Sequence, residues 1–315
     1  MLSILKISWQ LGKEILRCIF IYNKYVSKIL PKELTQKEKK RILFFGLIVP
    51  ALMSRSFALI QGKSITKLQL KMLVLGSAAT PFFDDFFDDK NLNLENLKKI
   101  ISSNTEFRPT HFKEKIFNSL WNEMFENIAD KKDFLAVTHK LIEVQNNGSK
   151  QYSIHSNYHE LKTICFNKGA ASTLSYWFLI NNENDAIKNK VVKQMGILYQ
   201  FLDDILDIWF DNKDEHFTVA TNCKSILQLK NDWLNELKLL NDFTTDLVVH
   251  QKQKNDFLKL QNLLLSVGKV ALEQLENLPN SSDKFNPINY SRKQLVCDMA
   301  LWSNRKKWFY YFSLK

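Results

Sequence analysis

The stretch Tyr199-Gln-Phe-Leu-Asp-Asp-Ile-Leu-Asp-Ile-Trp-Phe-Asp211 interleaves carboxylates with large apolar residues. At about 100° per residue on an α-helix, its aspartates fall on one arc and Phe201, Leu202, Ile205 and Leu206 on the other side. The stretch therefore predicts a helix with one acidic face and one core face.

A second stretch, Pro81-Phe-Phe-Asp-Asp-Phe-Phe-Asp-Asp89, repeats this arrangement upstream. An exposed amphipathic face is the ordinary explanation of an acidic helix, but such a face usually mixes in lysine. Here no Lys or Arg lies between Lys71 and Lys90, or between Lys193 and Lys213, although the net charge of the chain is +11. The sequence therefore favours two acidic patches that are not ordinary solvated faces.

Clustered carboxylates need a cation, because two of them about 4 Å apart repel by roughly 4 kcal/mol at an effective dielectric constant near 20. Oxygen ligands without nearby His or Cys favour Mg²⁺, with Mn²⁺ as the alternative. The predicted metal ligands are Asp84, Asp85, Asp88, Asp203, Asp204, Asp207 and Asp211. The phenylalanines at 82, 83, 86 and 87 would form a large apolar patch if exposed, so we expect them to line a cavity.

Composition favours one helical domain over residues 1–315. The chain is 45% hydrophobic, has only 8 Gly and 6 Pro, and contains no linker-like segment. Few turn-forming residues in 315 positions indicate long helices and few connections. The N-terminal helix over 1–30 and the basic aromatic tail over 305–315 are the candidates for peripheral elements.

The predicted helices follow apolar periodicity and breaks at Pro, Gly and Asn. They span 1–29, a segment from the charged run 37–41 to 61 with a kink at Pro50, 66–89, 93–103, 110–128, 131–146, 156–181, 184–211, 223–246, 253–277 and 287–304. An irregular loop is predicted over 212–221.

The net charge and the cysteine positions limit the classes of function that the chain can have. The basic residues are interpreted as spread along the chain, which argues against a nucleic-acid partner. The four cysteines are too far apart for a metal knuckle or redox pair, and so predict reduced core thiols in a cytoplasmic protein. Charges interrupt the first 30 residues, so this segment is either a packing helix or a basic amphipathic helix on a membrane surface.

The roles of several isolated basic residues have two alternative interpretations each. Arg55, alone in an apolar stretch, either reaches the surface or points towards an anion. The small residues of Lys168-Gly-Ala-Ala-Ser172 predict a close approach of another group. Lys168 either contacts a phosphate oxygen or is an exposed lysine beside an ordinary helix–helix contact. Lys213 and His216 either fold over a bound anion or are simply exposed.

A helical chain with two Asp-rich helices, the second reading Gln-x-x-Asp-Asp-x-x-Asp, resembles the class I isoprenoid synthases. The resemblance implies an all-α bundle around a central cavity, in which both clusters hold three Mg²⁺ ions that bind an allylic prenyl diphosphate and promote loss of pyrophosphate. Asp84, Asp85 and Asp88 match the first motif; Gln200, Asp203, Asp204 and Asp207 match the second as trans-prenyltransferases have it. Lys168 stands where those enzymes have a diphosphate-binding lysine, with Gly169 in place of the following threonine.

The site residues implied are catalytic Asp84, Asp88, Asp203 and Asp207, and diphosphate-binding Lys168, Gln200, Arg55 and Lys213. Two further partners are predicted as alternatives: a second copy of the chain, in a homodimer, and a membrane surface, through peripheral association.

The subfamily stays open. Chain-elongating prenyltransferases carry a Gly-Gly-Lys-Arg-like motif before the first cluster and two arginines after it, whereas this chain has Lys90-Asn91 there. The pairs Asp85/Asp89 and Asp207/Asp211 also fit the Asp-x-x-x-Asp spacing of squalene and phytoene synthases, and residues 203, 207 and 211 fit the ligand spacing of terpene cyclases. We therefore hold three hypotheses: ionisation of one prenyl diphosphate followed by cyclisation or coupling, chain elongation, and non-catalytic binding of a prenyl lipid.

Overall fold

A computed structural model describes residues 2–103, 106–128, 130–152, 157–181, 183–281 and 284–313. Met1 and Ser156, assigned above to helices, and Leu314 and Lys315 of the tail lie outside these residues. Within them the chain forms α-helices, short 3₁₀ and π-helical turns and connecting loops, with no β-strand.

The α-helices are α1 Leu2–Ile21, α2 Gln36–Gln61, α3 Lys67–Asp88, α4 Leu94–Ile101, α5 Phe112–Phe125, α6 Lys131–Asn147, α7 Tyr158–Ile180, α8 Ala186–Leu206, α9 Ile208–Lys213, α10 Ile226–Thr245, α11 Gln251–Glu276, α12 Arg292–Leu295 and α13 Trp302–Ser313.

The contacts divide the chain into two compact units. Unit 1 comprises residues 1–139 and 175–183, and unit 2 comprises residues 140–174 and 184–315. The prediction of one domain over the whole chain stays a prediction.

In unit 1, α3 is the central helix and packs against α1, α2, α4 and α5. Capping boxes fix the starts of α2 and α3, where the side chains of Thr35 and Thr66 accept from Glu38 N–H and Gln69 N–H. Both helices continue through an internal proline, Pro50 or Pro81. The first aspartate cluster thus lies at the C-terminal end of a buried helix whose register is fixed from its first turn.

In unit 2, α8 packs against α10 and α11, and α11 packs against α13. The predicted single helix over 184–211 is wrong in one respect: α8 ends at Leu206 and α9 begins at Ile208, so the break falls inside the aspartate motif. Asp207 stands at this junction with φ −97° and ψ 8°, outside the helical range. The arc calculated for an unbroken helix therefore does not extend to Asp211.

The C-terminal region also differs from the prediction. A single helix over 287–304 is wrong, because the structure has a 3₁₀ turn at Pro287–Asn289, the short α12, and a loop before α13. The tail docks on α11: the indole of Trp308 donates to the Leu263 carbonyl at 2.8 Å, and Lys307 pairs with Glu273 at 2.7 Å. The exposed aromatic side chains of α13 are Trp302, Phe309 and Tyr310.

All four cysteines are buried and free, which confirms the prediction of core thiols. Among the described helices, Gln36–Gln61 alone is long and apolar enough to cross a bilayer by length and composition. Half of its apolar stretch is buried inside the protein, a pattern that the core helix of a soluble protein shares.

Candidate active-site residues

The first cluster is paired with basic residues of its own unit. Arg41 on α2 donates to Asp85 Oδ1 at 2.7 Å and to Asp84 Oδ2 at 3.2 Å. Lys113 on α5 lies 2.9 Å from Asp85 Oδ2 and 3.0 Å from Asp89 Oδ2. The inference that opposite charges are kept away from this cluster is therefore wrong, because helices distant in sequence supply them.

These contacts place positive charge directly against the carboxylates of the cluster. The backbone N–H of Asn91, followed by the Lys113 ammonium, lowers the pKa of Asp89 to about 2. Burial lowers the pKa of Lys113, but the hydrogen bonds and charges of Asp85 and Asp89 outweigh this effect and raise it. Asp88 is exposed at the end of α3. A divalent cation bound to Asp85 would have to displace Arg41 and Lys113 or share the carboxylate with them.

The aromatic residues around this cluster pack against one another. Phe86 meets Phe117 edge-on at 5.5 Å between ring centroids, and Phe83 lies 5.4 Å from Phe87 and 6.4 Å from Phe117. Phe83 is 7% exposed and Phe86 is 4% exposed. These contacts make the rings part of a packed core that α3 shares with α5.

Two further buried aromatic residues, Trp177 and Tyr176, also lie in unit 1. Trp177 packs edge-on against Phe57 with ring centroids 5.2 Å apart. The Tyr176 hydroxyl is hydrogen-bonded to Thr80, one turn before Asp84. Burial raises the pKa of Tyr176 to about 12, and Asp84 contributes in the same direction. Tyr176 therefore stays a neutral hydroxyl near the first cluster.

The second cluster, in unit 2, has the opposite electrostatics. Desolvation by the surrounding protein, followed by the charges of Asp204, Asp207 and Asp211, raises the pKa of Asp203 to about 7. Desolvation likewise raises the pKa of Asp204 to about 6 and raises that of Asp207. Asp203 is exposed to solvent, which screens these interactions and weakens the rise in its pKa. The cluster is nevertheless short of positive charge.

Asp204 is the most enclosed carboxylate of this cluster, at 4% exposure. Its Oδ1 accepts from Gln200 Nε2 at 3.1 Å, while its Oδ2 is buried without a hydrogen-bond partner. A buried carboxylate oxygen without a partner is costly unless a cation or water meets it. Gln200, predicted from the motif, thus lies beside Asp204 and reaches Asp203 at 3.4 Å.

A close helix crossing brings Lys168 to these carboxylates. A Cβ added at Gly169 would lie 2.2 Å from the Gly196 carbonyl oxygen, and one at Gly196 would lie 2.1 Å from the Gly169 oxygen. Glycine at both positions lets the backbones of α7 and α8 touch. Lys168, next to the crossing, partly opposes the rise in the pKa values of Asp203 and Asp204, and it donates to Gln151 Oε1 at 3.3 Å.

Asp211 has a different environment beyond the break between α8 and α9. Its carboxylate lies 3.2 Å from His216 Nδ1, and its carbonyl accepts from the His216 backbone N–H at 2.8 Å. The His216 ring stacks on Tyr152 at 4.9 Å. Beside it, His216 and Tyr152 line a cleft of about 570 Å³ together with Lys284 and Phe285.

Two of the predicted anion-binding residues have other contacts. Arg55 donates to Gln10 Oε1 at 3.0 Å, and it lies about 21 Å from Arg41 along the continuous α2. Lys213 is exposed and stands over the Trp209 ring at 5.4 Å. The structure thus places Gln200 and Lys168 beside aspartates, whereas Arg55 contacts Gln10 and Lys213 contacts Trp209.

The second cluster fits a divalent cation better than the first, because its carboxylates are not neutralised. Within the described part of the chain, no group of three or more His, Cys, Asp or Glu side chains is arranged to hold one ion. Mg²⁺ does not require such a group, since it commonly binds one or two carboxylates and completes its shell with water and substrate phosphate. Asp203 and Asp204, with the partnerless Asp204 oxygen, are the ligands that best meet this need.

Sequence reasoning missed Arg41 and Lys113. Arg41 ends the charged run 37–41, and α2 directs it to a cluster 43 positions later. Lys113 carries no signal of its own in the sequence, because its role follows from the packing of α5 on α3.

Comparison with known proteins bears on the fold. Models of known protein families give no match to the chain, and no curated protein sequence matches it. The structure is similar to the crystal structure of geranyltransferase from Legionella pneumophila, with a TM-score of 0.55 and 11% sequence identity over 84% of this chain and 98% of that chain. This likeness, together with the helical content, confirms the predicted all-α, isoprenoid synthase-like fold.

Proposed function

We propose that the protein is a Mg²⁺-dependent class I isoprenoid synthase that ionises an allylic prenyl diphosphate and releases pyrophosphate. The observation that carries this proposal is the under-neutralised Asp203–Asp204 cluster, with Lys168 and Gln200 beside it, on an isoprenoid synthase-like fold. Asp207 and Asp211, and Asp84, Asp85 and Asp88 of unit 1, are the further candidate ligands.

The chain's own residues would act by charge and position. Asp203 and Asp204 supply carboxylate oxygens, and their raised pKa values mean that cation binding near neutral pH displaces protons. Lys168 offers a compact ammonium to a diphosphate oxygen, on which negative charge grows as the carbon–oxygen bond breaks. Mg²⁺, when bound, neutralises the diphosphate and stabilises the leaving group.

Chain elongation is the second candidate. The structural neighbour is named a geranyltransferase, and this name favours transfer of a prenyl group over cyclisation. The missing basic motifs around the first cluster argue the other way. The experiment must therefore distinguish whether the allylic cation formed by ionisation is cyclised, coupled or extended by a second substrate.

Non-catalytic binding of a prenyl lipid is the third candidate. The pairing of Arg41 and Lys113 with the first cluster favours it, because protein cations take the place that metal ions would occupy in an active enzyme.

The deciding experiment incubates the protein with geranyl, farnesyl or geranylgeranyl diphosphate and Mg²⁺, each with and without isopentenyl diphosphate. Products are read by mass spectrometry and pyrophosphate by a coupled assay. A longer prenyl diphosphate formed only with isopentenyl diphosphate indicates elongation, and a hydrocarbon or alcohol from one substrate indicates ionisation with cyclisation or coupling.

Asp203→Asn is expected to lower turnover by about a hundredfold, because it removes a metal ligand that acts mainly in the transition state. Asp246→Asn, at an exposed carboxylate at the end of α10, is the matched control and should keep wild-type turnover. Absence of pyrophosphate release from every substrate would reject catalysis and leave the lipid-binding candidate.

A further inference from the structure

The excess positive charge of the chain is concentrated at its N-terminus. Residues 1–71 contain 14 of the 44 basic residues and 3 of the 33 acidic residues. Residues 72–315 contain the other 30 basic and 30 acidic residues, so their net charge is zero. The earlier interpretation that the basic residues are spread along the chain is therefore wrong. The first 71 residues account for the whole net charge of +11.

The helix α1 within this segment exposes a stripe of large apolar side chains. Leu5 is 58% exposed, Trp9 67%, Leu16 67% and Phe20 59%. At about 100° per residue these four positions fall within an arc of about 60°. Large apolar side chains in a continuous exposed row are unusual on a soluble surface and indicate a partner.

The opposite face of α1 already has a structural role. Ile7, Cys18 and Ile21 are buried on that face, and α1 packs against α2 and α3. The exposed stripe is therefore not needed to hold the helix on unit 1.

Cations border this stripe along one side. Lys6, Lys13 and Arg17 are exposed and fall about 80–120° around the helix from Leu5. The Lys13 ammonium stands 5.0 Å from the Trp9 ring centroid, so the row of cations directly joins the apolar row. A helix with one apolar stripe and a basic border has the pattern of a helix that lies in a membrane interface.

The start of α3 extends the same surface. The Lys67 ammonium lies 5.7 Å from the Phe20 ring centroid, and the adjacent Leu68 is 50% exposed. Arg17 donates to the Ile65 carbonyl at 3.3 Å, which ties α1 to this segment. The surface is thus built from two elements of unit 1.

We propose that this surface, formed by α1 and the first turn of α3, docks unit 1 on an anionic lipid bilayer. Its apolar stripe would enter the boundary between headgroups and acyl chains, while the bordering lysines meet the anionic headgroups. A second copy is disfavoured, because a symmetric interface would oppose two segments of the same positive charge. A nucleic acid would meet the cations but leave the apolar stripe in water. This proposal is independent of the catalytic one.

The test is flotation of the full chain with vesicles of phosphatidylcholine alone or mixed with phosphatidylglycerol. We expect binding to the mixed vesicles, weaker binding at high salt, and little binding to phosphatidylcholine. Leu16→Glu is expected to weaken partitioning by about tenfold, and Lys6→Gln with Lys13→Gln by a similar factor.

Matched controls use unit 2. Leu227→Glu replaces another helical leucine that is 53% exposed, and Lys238→Gln with Lys252→Gln removes two exposed cations. Both controls should bind as the wild type does. Circular dichroism spectra and melting temperatures establish that each variant folds, and the lysine variants test the proposal even if Leu16→Glu does not.

Three outcomes would overturn the proposal. One is equal binding by Leu16→Glu and wild type. Another is a dimer in light scattering that Leu16→Glu dissociates, without any vesicle binding. The third is binding to RNA that depends on the lysines and not on Leu16, again without vesicle binding.

Discussion

At the scale of single residues, the two aspartate clusters solve the same electrostatic problem in different ways. In the first cluster, Arg41 and Lys113 contact the carboxylates directly. In the second cluster the Lys168 ammonium only partly offsets desolvation and the charges of neighbouring aspartates, so the pKa values of Asp203 and Asp204 rise. The negative charge of the first cluster is therefore balanced by protein cations, whereas the proposed metal ion would balance that of the second.

Lys113→Met tests this difference at the first cluster. The variant leaves Asp85 and Asp89 without their ammonium, so we expect the free energy of unfolding at pH 7 to fall by about 1–2 kcal/mol. Because the pKa of Asp89 is depressed to about 2, its contribution is present above about pH 4 and disappears as pH falls through 2. The loss in the variant should therefore shrink in acid.

Urea denaturation at several pH values, with and without Mg²⁺, measures this effect. Lys115→Met, at an exposed lysine on the same helix, is the control and should change stability by less than about 0.5 kcal/mol. Equal stability of Lys113→Met and wild type at pH 7 would show that the ion pairs are not stabilising. Partial recovery of the variant by Mg²⁺ would show that the first cluster can exchange a protein cation for a metal.

At the scale of helices, the position of Lys168 depends on the α7–α8 crossing more than on its own sequence context. The segment Lys168-Gly-Ala-Ala-Ser172 predicted a close approach, and the structure identifies the partner as the Gly196 backbone. A departure from the family motif, glycine in place of threonine, is what this crossing requires. The departure therefore has a structural cause in this chain.

Gly169→Ala is expected to lower the free energy of unfolding by about 1–3 kcal/mol or more, because its Cβ would lie 2.2 Å from a backbone oxygen. The helices would have to separate, and Lys168 would move away from Asp203 and Asp204. We therefore also expect weaker binding of pyrophosphate, measured by calorimetry in Mg²⁺.

Gly12→Ala is the matched control for this substitution. A Cβ at Gly12, also within a helix, would meet nothing within 4 Å. It should stabilise the protein by up to about 1 kcal/mol through helix propensity. Similar effects of the two alanines on stability would contradict the crossing as a constraint.

The sequence predicted most helices to within a few residues, because long apolar periodicity and capping residues such as Thr35 and Thr66 are local signals. It failed at Asp207 and between 287 and 304, where α8 and α12 end at Leu206 and Leu295 and no Pro or Gly marks the break. In the candidate sites the spacing of the aspartates singled them out, and the resemblance to a known family added Gln200 and Lys168 as predictions. The sequence could not identify Arg41 and Lys113, whose contacts depend on how α2 and α5 pack on α3.

At the scale of the whole molecule, charge has three distinct locations: a basic N-terminal segment, a neutralised acidic cluster in unit 1 and an under-neutralised one in unit 2. The basic segment and the second cluster have the features of binding surfaces, one for anionic lipid and one for cations. Neither would be apparent from the net charge of +11 alone.

Without divalent metal, the stability of the protein should depend on pH through Asp203 and Asp204. The pKa of Asp203 is raised to about 7 and that of Asp204 to about 6, so the folded state favours their protonated forms. Their contribution to stability is fully present below about pH 4 and is lost as pH rises through 6 to 7. Groups with lowered pKa values, such as Asp89 and Asp185, lose their contribution in acid instead. The free energy of unfolding should therefore peak near pH 5.

Thermal and urea denaturation between pH 3 and 8 in a chelating buffer measure this profile. For the buried Asp204, the decline between about pH 5 and 8 should be on the order of 2 kcal/mol, and Asp204→Asn should flatten it. Asp246→Asn should leave the wild-type profile. Mg²⁺ with pyrophosphate at pH 7.5 should recover stability in the wild type and much less in Asp204→Asn. A wild-type stability that rises steadily from pH 5 to 8 would mean that the second cluster is already neutralised, and it would remove the main electrostatic reason for placing a metal ion there.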